Sequence, residues 1–230
     1  MLDEVSVLIP FKPSSGIRSK LFEWVLSYYE NVLQDVEICI GENDEEPFNK
    51  SKAINTAAAK ATKNIFVVVD SDIVYNPQII KKSVQLLESH AWVIPFNRCL
   101  DITARSTEKL LNSRPQWPLP IEIEYKERFN KNAYKSVGGM NILLRKDFNI
   151  VKGFDERFKG WGREDDAFKN AMNTLCGPYK RIEDEYIYHL WHPKVGMKGN
   201  PHFSYNQQLY RQYVRCNGKV KRMQALINSR

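Results

Sequence analysis

The sequence predicts an α/β fold in which a mostly parallel central sheet is flanked by helices, and two features support this prediction. Apolar stretches of strand length alternate with stretches of helical spacing over residues 5–96, as in parallel sheets with right-handed crossovers. The run Val67-Val68-Val69 is continuously β-branched, which is typical of a strand covered on both faces. We therefore expect a Rossmann-like architecture.

The first predicted unit is a strand, a loop and a helix. Residues 5–11 form an apolar strand stopped by Pro10, and residues 12–16 are turn formers. Residues 18–33 carry large apolar side chains at helical spacing. The elements predicted next are a strand at 36–41, an alanine-rich helix at 49–62, a strand at 66–74, a helix at 76–89 and a strand at 91–96.

The periodic pattern is lost over residues 97–135. Pro115, Pro118 and Pro120 surround Trp117 there, and charges of both signs are mixed. Because a long segment without regular structure in a compact domain is usually functional, we expect an irregular loop or a lid.

Length and composition indicate one domain over residues 1–230. Of these residues 43% are hydrophobic and 12% aromatic, which is enough for one substantial core. Four cysteines have no C-x-x-C spacing, which indicates reduced thiols. No basic, apolar leader precedes the first strand, and no stretch is long enough to span a bilayer, so we expect a cytoplasmic protein.

The net charge of +7 is concentrated at the C-terminal end. Residues 193–230 contain eight basic and no acidic residues, so the remainder has 26 basic against 27 acidic residues. The eight are Lys194, Lys198, Arg211, Arg215, Lys219, Lys221, Arg222 and Arg230. Such a segment could face a diphosphate, an anionic membrane surface or a nucleic acid, or it could be a solvated helix.

Two carboxylates lie at the C-terminal end of the strand predicted at 66–74. Asp70 and Asp72 are the first polar side chains beyond the apolar run, at the strand end where open α/β sheets bind ligands. A divalent metal that bridges a substrate diphosphate needs hard oxygen ligands on a rigid element. The alternative is a solvated turn, since Asp-x-Asp also occurs by chance in surface loops.

Two further stretches carry candidate site residues. Gly138 and Gly139 precede a strand and permit close backbone approach to a ligand. Trp161 lies between two glycines, as a platform for a sugar ring would, and is followed by Glu164, Asp165 and Asp166 at a predicted helix start. That acidic run could also be only a favourable helix N-terminus.

The last informative stretch is a predicted strand within residues 182–191 that ends in His189 and His192. One histidine alone would more often be a structural residue. Two of the chain's four histidines close together, in a chain that also offers Asp-x-Asp, favour metal binding.

Several motifs together resemble a known family. They are Ile9-Pro10-Phe11-Lys12, Phe48-Asn49-Lys50-Ser51-Lys52, Asp70-Ser71-Asp72, Gly138-Gly139-Met140 and Gly160-Trp161-Gly162-Arg163-Glu164-Asp165-Asp166. Taken in this order along the chain, these motifs resemble those of glycosyltransferases of the A-type (GT-A) fold. The families they resemble are the β-1,4-galactosyltransferases and bacterial family 2 enzymes such as chondroitin-type polymerases. The similarity spans about residues 5–201. Lys12 stands where the family has arginine, and Arg163 where it has glycine.

The resemblance implies a role for each matched residue. Asp165 would be the general base, and Trp161 and Asp166 would contact the acceptor. The implied donor site consists of Pro10, Phe11, Lys12, Asp44, Asn49, Lys52, Asp70, Ser71, Gly139 and Glu164. Asp72, His189 and His192 would bind Mn²⁺ or Mg²⁺, with His189 in place of the family's methionine. Related members use one histidine at the strand end, which would favour His189 alone.

The resemblance also implies a reaction. A hexose or N-acetylhexosamine would pass with inversion from a UDP-sugar to a hydroxyl of a glycan or other polymer. Residues 1–96 would form a nucleotide-binding half and residues 136–201 an acceptor and metal half. Residues 202–230 lie beyond the resemblance, and their charge predicts a basic tail for an anionic partner, a nucleic acid or a membrane surface to which the protein attaches peripherally.

Two other classes of function remain open at this point. A sugar-nucleotidyltransferase would need a glycine-rich basic phosphate loop after the first strand, and residues 12–18 resemble one only weakly. A nucleic-acid-binding module could use the basic tail with Tyr205, Tyr210 and Tyr213 as stacking groups. A glycosyltransferase that acts on modified DNA would combine sugar transfer with such a basic tail.

Overall fold

The computed structural model describes residues 2–128, 136–193, 196 and 199–230. The strands in these ranges are β1 (Val5–Phe11), β2 (Glu37–Glu42), β3 (Ile65–Val69), β4 (Ile73–Tyr75), β5 (Trp92–Ile94), β6 (Arg98–Ile102), β7 (Tyr125–Glu127), β8 (Met140–Leu144), β9 (Tyr179–Arg181) and β10 (Tyr186–His189). The helices are α1 (Ile17–Val32), α2 (Lys50–Lys60), α3 (Gln78–Leu86), α4 (Ala104–Leu111), α5 (Arg145–Ile150), α6 (Glu164–Leu175), α7 (Phe203–Cys216) and α8 (Val220–Asn228).

The central sheet has six strands in the order β2-β1-β3-β8-β5-β9. β1 is parallel to β2 and β3, and β5 is parallel to β9, whereas β8 is antiparallel to both of its neighbours. The predicted α/β class with flanking helices is therefore confirmed, with one reversed strand in the sheet.

The hydrophobic core is centred on β1 and β3, and every residue of both strands is buried. The β-branched run Val67-Val68-Val69 lies between β1 and β8, as its composition predicts. Burying each such side chain stabilises the folded state by about 1.5 to 3 kcal/mol relative to leaving it exposed. This core fixes the strand ends from which the polar residues project.

A second sheet of four strands, in the order β4-β10-β6-β7, lies at the end of β3. The expectation of an irregular segment at 97–135 is wrong in part, because β6, α4 and β7 lie within it. α4 begins at a side-chain cap in which the Thr103 hydroxyl accepts a hydrogen bond from the Ser106 N–H group. Residues 129–135 of this segment lie outside the described residues.

The predicted strand at 66–74 is divided by a turn. β3 ends at Val69, and the Ile73 N–H donates to the Asp70 carbonyl at 3.2 Å before β4 begins. The Asp70 N–H donates to the Gly139 carbonyl at 3.0 Å. The turn therefore transfers the chain from the central sheet to the second sheet, with Asp70 and Asp72 at the junction.

The C-terminal residues do not form a separate tail. α7 and α8 pack on α6, and Leu209, Tyr213, Met223 and Ile227 are buried in the common core. The Tyr213 hydroxyl donates to Asp155 Oδ2 at 2.7 Å. Since Tyr213 is 1% exposed, it cannot stack on a nucleic-acid base. Lys194 and Lys198 of the predicted tail lie outside the described residues.

Two further expectations concern the environment of the chain. Cys39, Cys99, Cys176 and Cys216 are all free thiols, as the spacing predicts. In the described part of the chain, every helix is too short or too polar to cross a bilayer.

Candidate active site

Three predicted metal ligands meet where the two sheets join. Asp72 Oδ2 lies 3.1 Å from His192 Nε2, and Asp72 Oδ1 lies 3.7 Å from His189 Nε2. One ligand atom from each of the three residues lies within 4.8 Å of the others, and all three side chains are buried. Atoms bound to one ion at roughly 2.1 Å lie about 3 to 4.3 Å apart, so this arrangement needs only small shifts to hold a cation.

Backbone pairing explains how the three residues come together. In the antiparallel pair of β4 and β10, His189 lies opposite Ile73, the residue after Asp72. The Leu190 N–H then donates to the Asp72 carbonyl at 2.9 Å. The Trp191 N–H donates to the Thr107 hydroxyl at 3.0 Å, which holds the chain as it turns towards His192.

The histidines are held by their second ring nitrogens. His189 Nδ1 lies 3.1 Å from Asp101 Oδ1, and the two residues are opposite each other in the pair of β6 and β10. The Arg128 Nε in turn donates to Asp101 Oδ1 at 3.0 Å. His192 Nδ1 lies 2.9 Å from the Pro193 carbonyl. Each Nδ1 thus has an oxygen acceptor, so each Nε2 can present a lone pair to a metal.

The charges around Asp72 keep its carboxylate ionised. Burial opposes the charged form, but His189, His192 and Arg18 outweigh it and lower the pKa of Asp72. An ionised oxygen with two imidazole nitrogens is a donor set that suits a first-row divalent ion better than Mg²⁺, which favours oxygen ligands. The residues present therefore fit the cation that the resemblance implies.

The other carboxylate of the pair, Asp70, belongs to a neighbouring cluster. Lys50 Nζ lies 2.8 Å from Asp70 Oδ1, 3.2 Å from Asp165 Oδ2 and 3.9 Å from Glu164 Oε1. Burial disfavours the charged ammonium, yet Asp165, Asp70 and Glu164 raise the pKa of Lys50 well above its ordinary value. We call these four residues the Lys50 cluster.

Two acidic members of the Lys50 cluster, Glu164 and Asp165, have pKa values above those of free side chains. Burial, aided by the charge of Asp165, raises the pKa of Glu164 to about 7. Burial also raises the pKa of Asp165, although Lys50 opposes this. A Cβ added at Gly138 would lie 2.0 Å from Asp165 Oδ2, so only glycine leaves room for that carboxylate. Asp165 therefore lies in a tightly enclosed position.

The predicted acceptor platform is exposed next to this cluster. Trp161 is 53% exposed and stacks on Phe203 at the start of α7, with ring centroids 6.2 Å apart. Asp166 is buried, and its carboxylate lies 2.9 Å from the Arg163 NH1 group and 3.5 Å from Lys169 Nζ. Arg163 adopts a left-handed backbone conformation with φ 82°. Trp161 is thus open to a ligand, while Asp166 is tied to two cations.

The predicted donor-site residues lie around the ends of β1, β2 and β3, and several have structural partners. Asn49 caps α2 by accepting from the Lys52 N–H group, and its amide donates to the Glu156 carbonyl at 2.8 Å. Lys52 pairs with Glu45 at 2.7 Å, and Lys12 pairs with Glu46. Pro10 and Phe11 are buried, Asp44 is exposed, and Ser71 and Gly139 are half-buried.

Sequence reasoning missed four residues that shape the site. They are Arg18, Lys50, Asp101 and Arg128. Lys50 was present in a family-like motif, and its neighbour Lys52 received the donor role instead. Asp101 and Arg128 lie in the segment that was expected to be irregular, so no local pattern pointed to them.

We expect Lys50→Met to lower the free energy of unfolding by about 3 to 5 kcal/mol at pH 8, because it leaves the buried Glu164 and the half-buried Asp70 and Asp165 without their cation. The loss should be smaller at pH 5, where Glu164, with a pKa of about 7, carries a proton. Urea denaturation at both pH values tests this. Lys52→Met, two residues along the same helix and more exposed, is the control and should change stability little. Equal effects of the two substitutions would contradict the assignment.

Glu164 should make stability depend on pH. Its pKa is higher in the folded state, at about 7, than its ordinary value of 4.5, so the folded protein loses stability as pH rises between these values. Glu164→Gln removes the ionisation, so its stability relative to wild type should rise by on the order of 2 to 3 kcal/mol from pH 4 to pH 8. Chemical denaturation at several pH values measures the difference. The exposed Glu88→Gln is the control, and a flat difference for Glu164→Gln would contradict the prediction.

Comparison with known proteins places the chain in a family. Residues 25–151 match the family described as glycosyl transferase family 2, and residues 121–193 match the N-terminal domain of galactosyltransferase. No curated protein matches the chain in sequence. Many solved structures resemble the fold.

Three of these structures illustrate the likeness. The catalytic domain of Drosophila β1,4-galactosyltransferase 7 in complex with xylobiose is 16% identical, with a TM-score of 0.53 over 91% of this chain and 79% of that chain. S. aureus TarS, residues 1–349 in complex with UDP-GlcNAc, is 14% identical, with a TM-score of 0.57 over 98% and 71%. A mutant of the Drosophila enzyme in complex with manganese, UDP-Gal and xylobiose is 17% identical, with a TM-score of 0.45 over 78% and 63%.

The extent of these matches defines what they establish. This chain spans 63% of the length of the Drosophila mutant chain, which is less than two thirds. The first two structures support the GT-A fold. The match at residues 25–151 covers more than half of the chain. The chain therefore belongs to glycosyl transferase family 2.

Proposed function

We propose that the protein is an inverting, metal-dependent glycosyltransferase that moves a hexose or N-acetylhexosamine from a UDP-sugar to a hydroxyl of a glycan or other polymer. One observation carries the proposal. The turn after β3 directs Asp72 to two histidines and Asp70 to the Lys50 cluster, so a cation site and an enclosed candidate base adjoin one strand end. Inverting transfer needs a base and leaving-group stabilisation on opposite sides of the anomeric carbon.

The proposed reaction first requires that the leaving group be stabilised. A UDP leaving group develops negative charge as its bond to the sugar breaks, and a divalent cation such as Mn²⁺ supplies Lewis-acid stabilisation there. Asp72, His189 and His192 would hold that cation. Asp101 and Arg128 keep His189 oriented, because a ring nitrogen that donates to a carboxylate fixes the tautomer and direction of the other.

The proposed reaction also requires a base for the attacking hydroxyl. Asp165 would accept its proton, and a base works best when its pKa lies near the working pH. Burial raises the pKa of Asp165 towards that range, while Lys50 holds the carboxylate in place. A single base of this kind gives inversion, whereas a retaining hydrolase needs a second carboxylate as nucleophile.

Substrate contacts follow from the same arrangement. Glu164 accepts a hydrogen bond from the Gly162 N–H at 3.1 Å through Oε2, which leaves Oε1 on the side of Lys50 and the proposed donor sugar. The exposed face of Trp161 would stack against an acceptor sugar ring. The fold is shared with TarS, which was solved with UDP-GlcNAc, and with a galactosyltransferase solved with xylobiose. These likenesses support a UDP-sugar donor and a glycan acceptor as proposals.

Other expectations stay predictions. The exposed arginines and lysines of α7 and α8 would suit an anionic partner, and a cytoplasmic location with peripheral membrane attachment is compatible with the absence of a bilayer-crossing helix in the described ranges. The family match favours glycosyl transfer over sugar-nucleotide synthesis. The burial of Tyr213 removes one of the three stacking groups on which a nucleic-acid module would depend.

Asp72→Ala and Asp165→Asn should fail in different ways. We expect Asp72→Ala to lose Mn²⁺-dependent binding of UDP-sugars, whereas Asp165→Asn should bind the donor with unchanged affinity and transfer it at least a hundredfold more slowly. Calorimetric titration measures binding, and release of UDP from a panel of UDP-sugars, with and without acceptor glycans, measures turnover. Asp184→Asn, a change at an exposed carboxylate, is the control.

Two results would count against this proposal. Full transfer by Asp165→Asn would remove Asp165 from the base role. Unchanged metal-dependent donor binding by Asp72→Ala would show that the cation binds at a position other than Asp72.

A further inference from the structure

The loop after β1 leads to a residue to which no role has yet been given. Residues 12–16 connect β1 to α1, and the second residue of α1 is Arg18. Its NH2 group lies 3.0 Å from His192 Nδ1, and its NH1 group lies 4.0 Å from Asp72 Oδ2. The Arg18 side chain is 48% exposed. Its guanidinium therefore contacts the proposed cation site while part of it faces solvent.

The contact between Arg18 and His192 competes with another one. His192 Nδ1 lies 3.0 Å from Arg18 and 2.9 Å from the Pro193 carbonyl. This nitrogen can accept from the guanidinium only when it carries no proton, and it can donate to Pro193 only when it carries one. A His192 that presents Nε2 to a cation has its proton on Nδ1. Arg18 then loses His192 as an acceptor and needs another.

Three other basic residues near the proposed donor site, all within the described part of the chain, already pair with carboxylates. Lys12 pairs with Glu46, and Lys52 pairs with Glu45. Lys50 is enclosed by Asp70, Glu164 and Asp165. Arg18 differs because its nearest carboxylate is Asp72. A cation bound in the site would neutralise the negative charge of Asp72.

We propose that Arg18 is a catalytic residue that binds the donor diphosphate and stabilises it as the leaving group. The planar guanidinium can donate two parallel hydrogen bonds to phosphate oxygens, which a lysine cannot do. The first turn of α1 adds to the positive potential, since it has no acidic side chain and no side-chain cap. The inference rests on the proposed glycosyltransferase function and assigns one residue within it.

In the proposed transfer one bond to the anomeric carbon breaks and one forms. The bond between the anomeric carbon and the β-phosphate oxygen breaks, and its electron pair stays on that oxygen, where Arg18 donates hydrogen bonds. The acceptor oxygen forms the new bond to the anomeric carbon. The acceptor proton passes to Asp165.

The test compares UDP with UMP and uridine as ligands in saturating Mn²⁺. Because the β-phosphate is present only in UDP, Arg18→Gln should weaken UDP binding at least tenfold and change uridine binding less than twofold, with UMP between them. Arg18→Lys should recover part of the loss through charge alone. Lys20→Gln, at an exposed position two residues along α1, is the control and should bind all three ligands like wild type. Calorimetric titration gives these affinities without turnover.

The alternative is that Arg18 only neutralises Asp72 when no cation is bound. Arg18→Gln would then raise the Mn²⁺ affinity and leave the UDP affinity unchanged, which would overturn the proposal. Equal losses for UDP and uridine would also overturn it, since they would indicate a general distortion of the site. If wild type binds no UDP in the presence of Mn²⁺, the proposed function itself fails, and the inference fails with it.

Discussion

The site depends on one constraint, the turn that ends β3 and sends two neighbouring aspartates to different partners. Asp70 contacts Lys50, while Asp72 contacts His189 and His192. Both aspartates are held at the end of a fully buried strand, so neither can move far without disturbing the core. The same turn passes the chain to the second sheet, whose β10 carries His189. Separation of the two carboxylates thus follows from how the sheets are joined.

The carboxylates of the Lys50 cluster and the carboxylate of Asp72 are stabilised by different neighbouring charges. In the Lys50 cluster an ammonium is shared among three carboxylates, and burial together with the charge of Asp165 raises the pKa of Glu164 to about 7 although Lys50 opposes this. Around Asp72 the histidines and Arg18 outweigh the effect of burial and lower the pKa of the carboxylate. The proposed base and the proposed cation ligands can therefore lie near one strand end, because each carboxylate has a different set of neighbours.

Local patterns predicted the parts of this arrangement that depend on neighbours in sequence. The β-branched run of β3 and the helical spacing of α1 lie close to where the sequence pattern predicts them, and α6 begins at the acidic run as predicted. The three residues proposed as metal ligands from the motifs are also close together in the structure. What depends on long-range pairing could not be predicted. Asp101 meets His189 only because β6 and β10 pair across the second sheet, and α7 and α8 were read as a tail because their sparse apolar residues reveal a buried face only once α6 is in place.

The central claim is that Asp72, His189 and His192 together hold a divalent cation. Anomalous diffraction at the manganese edge, from crystals grown with MnCl₂ and UDP, tests it most directly. The account predicts one strong peak within roughly 2.5 Å of an Asp72 carboxylate oxygen and of Nε2 of both histidines. A peak beside Asp70 and Asp165, a peak that only one histidine reaches, or no peak in this region would contradict it.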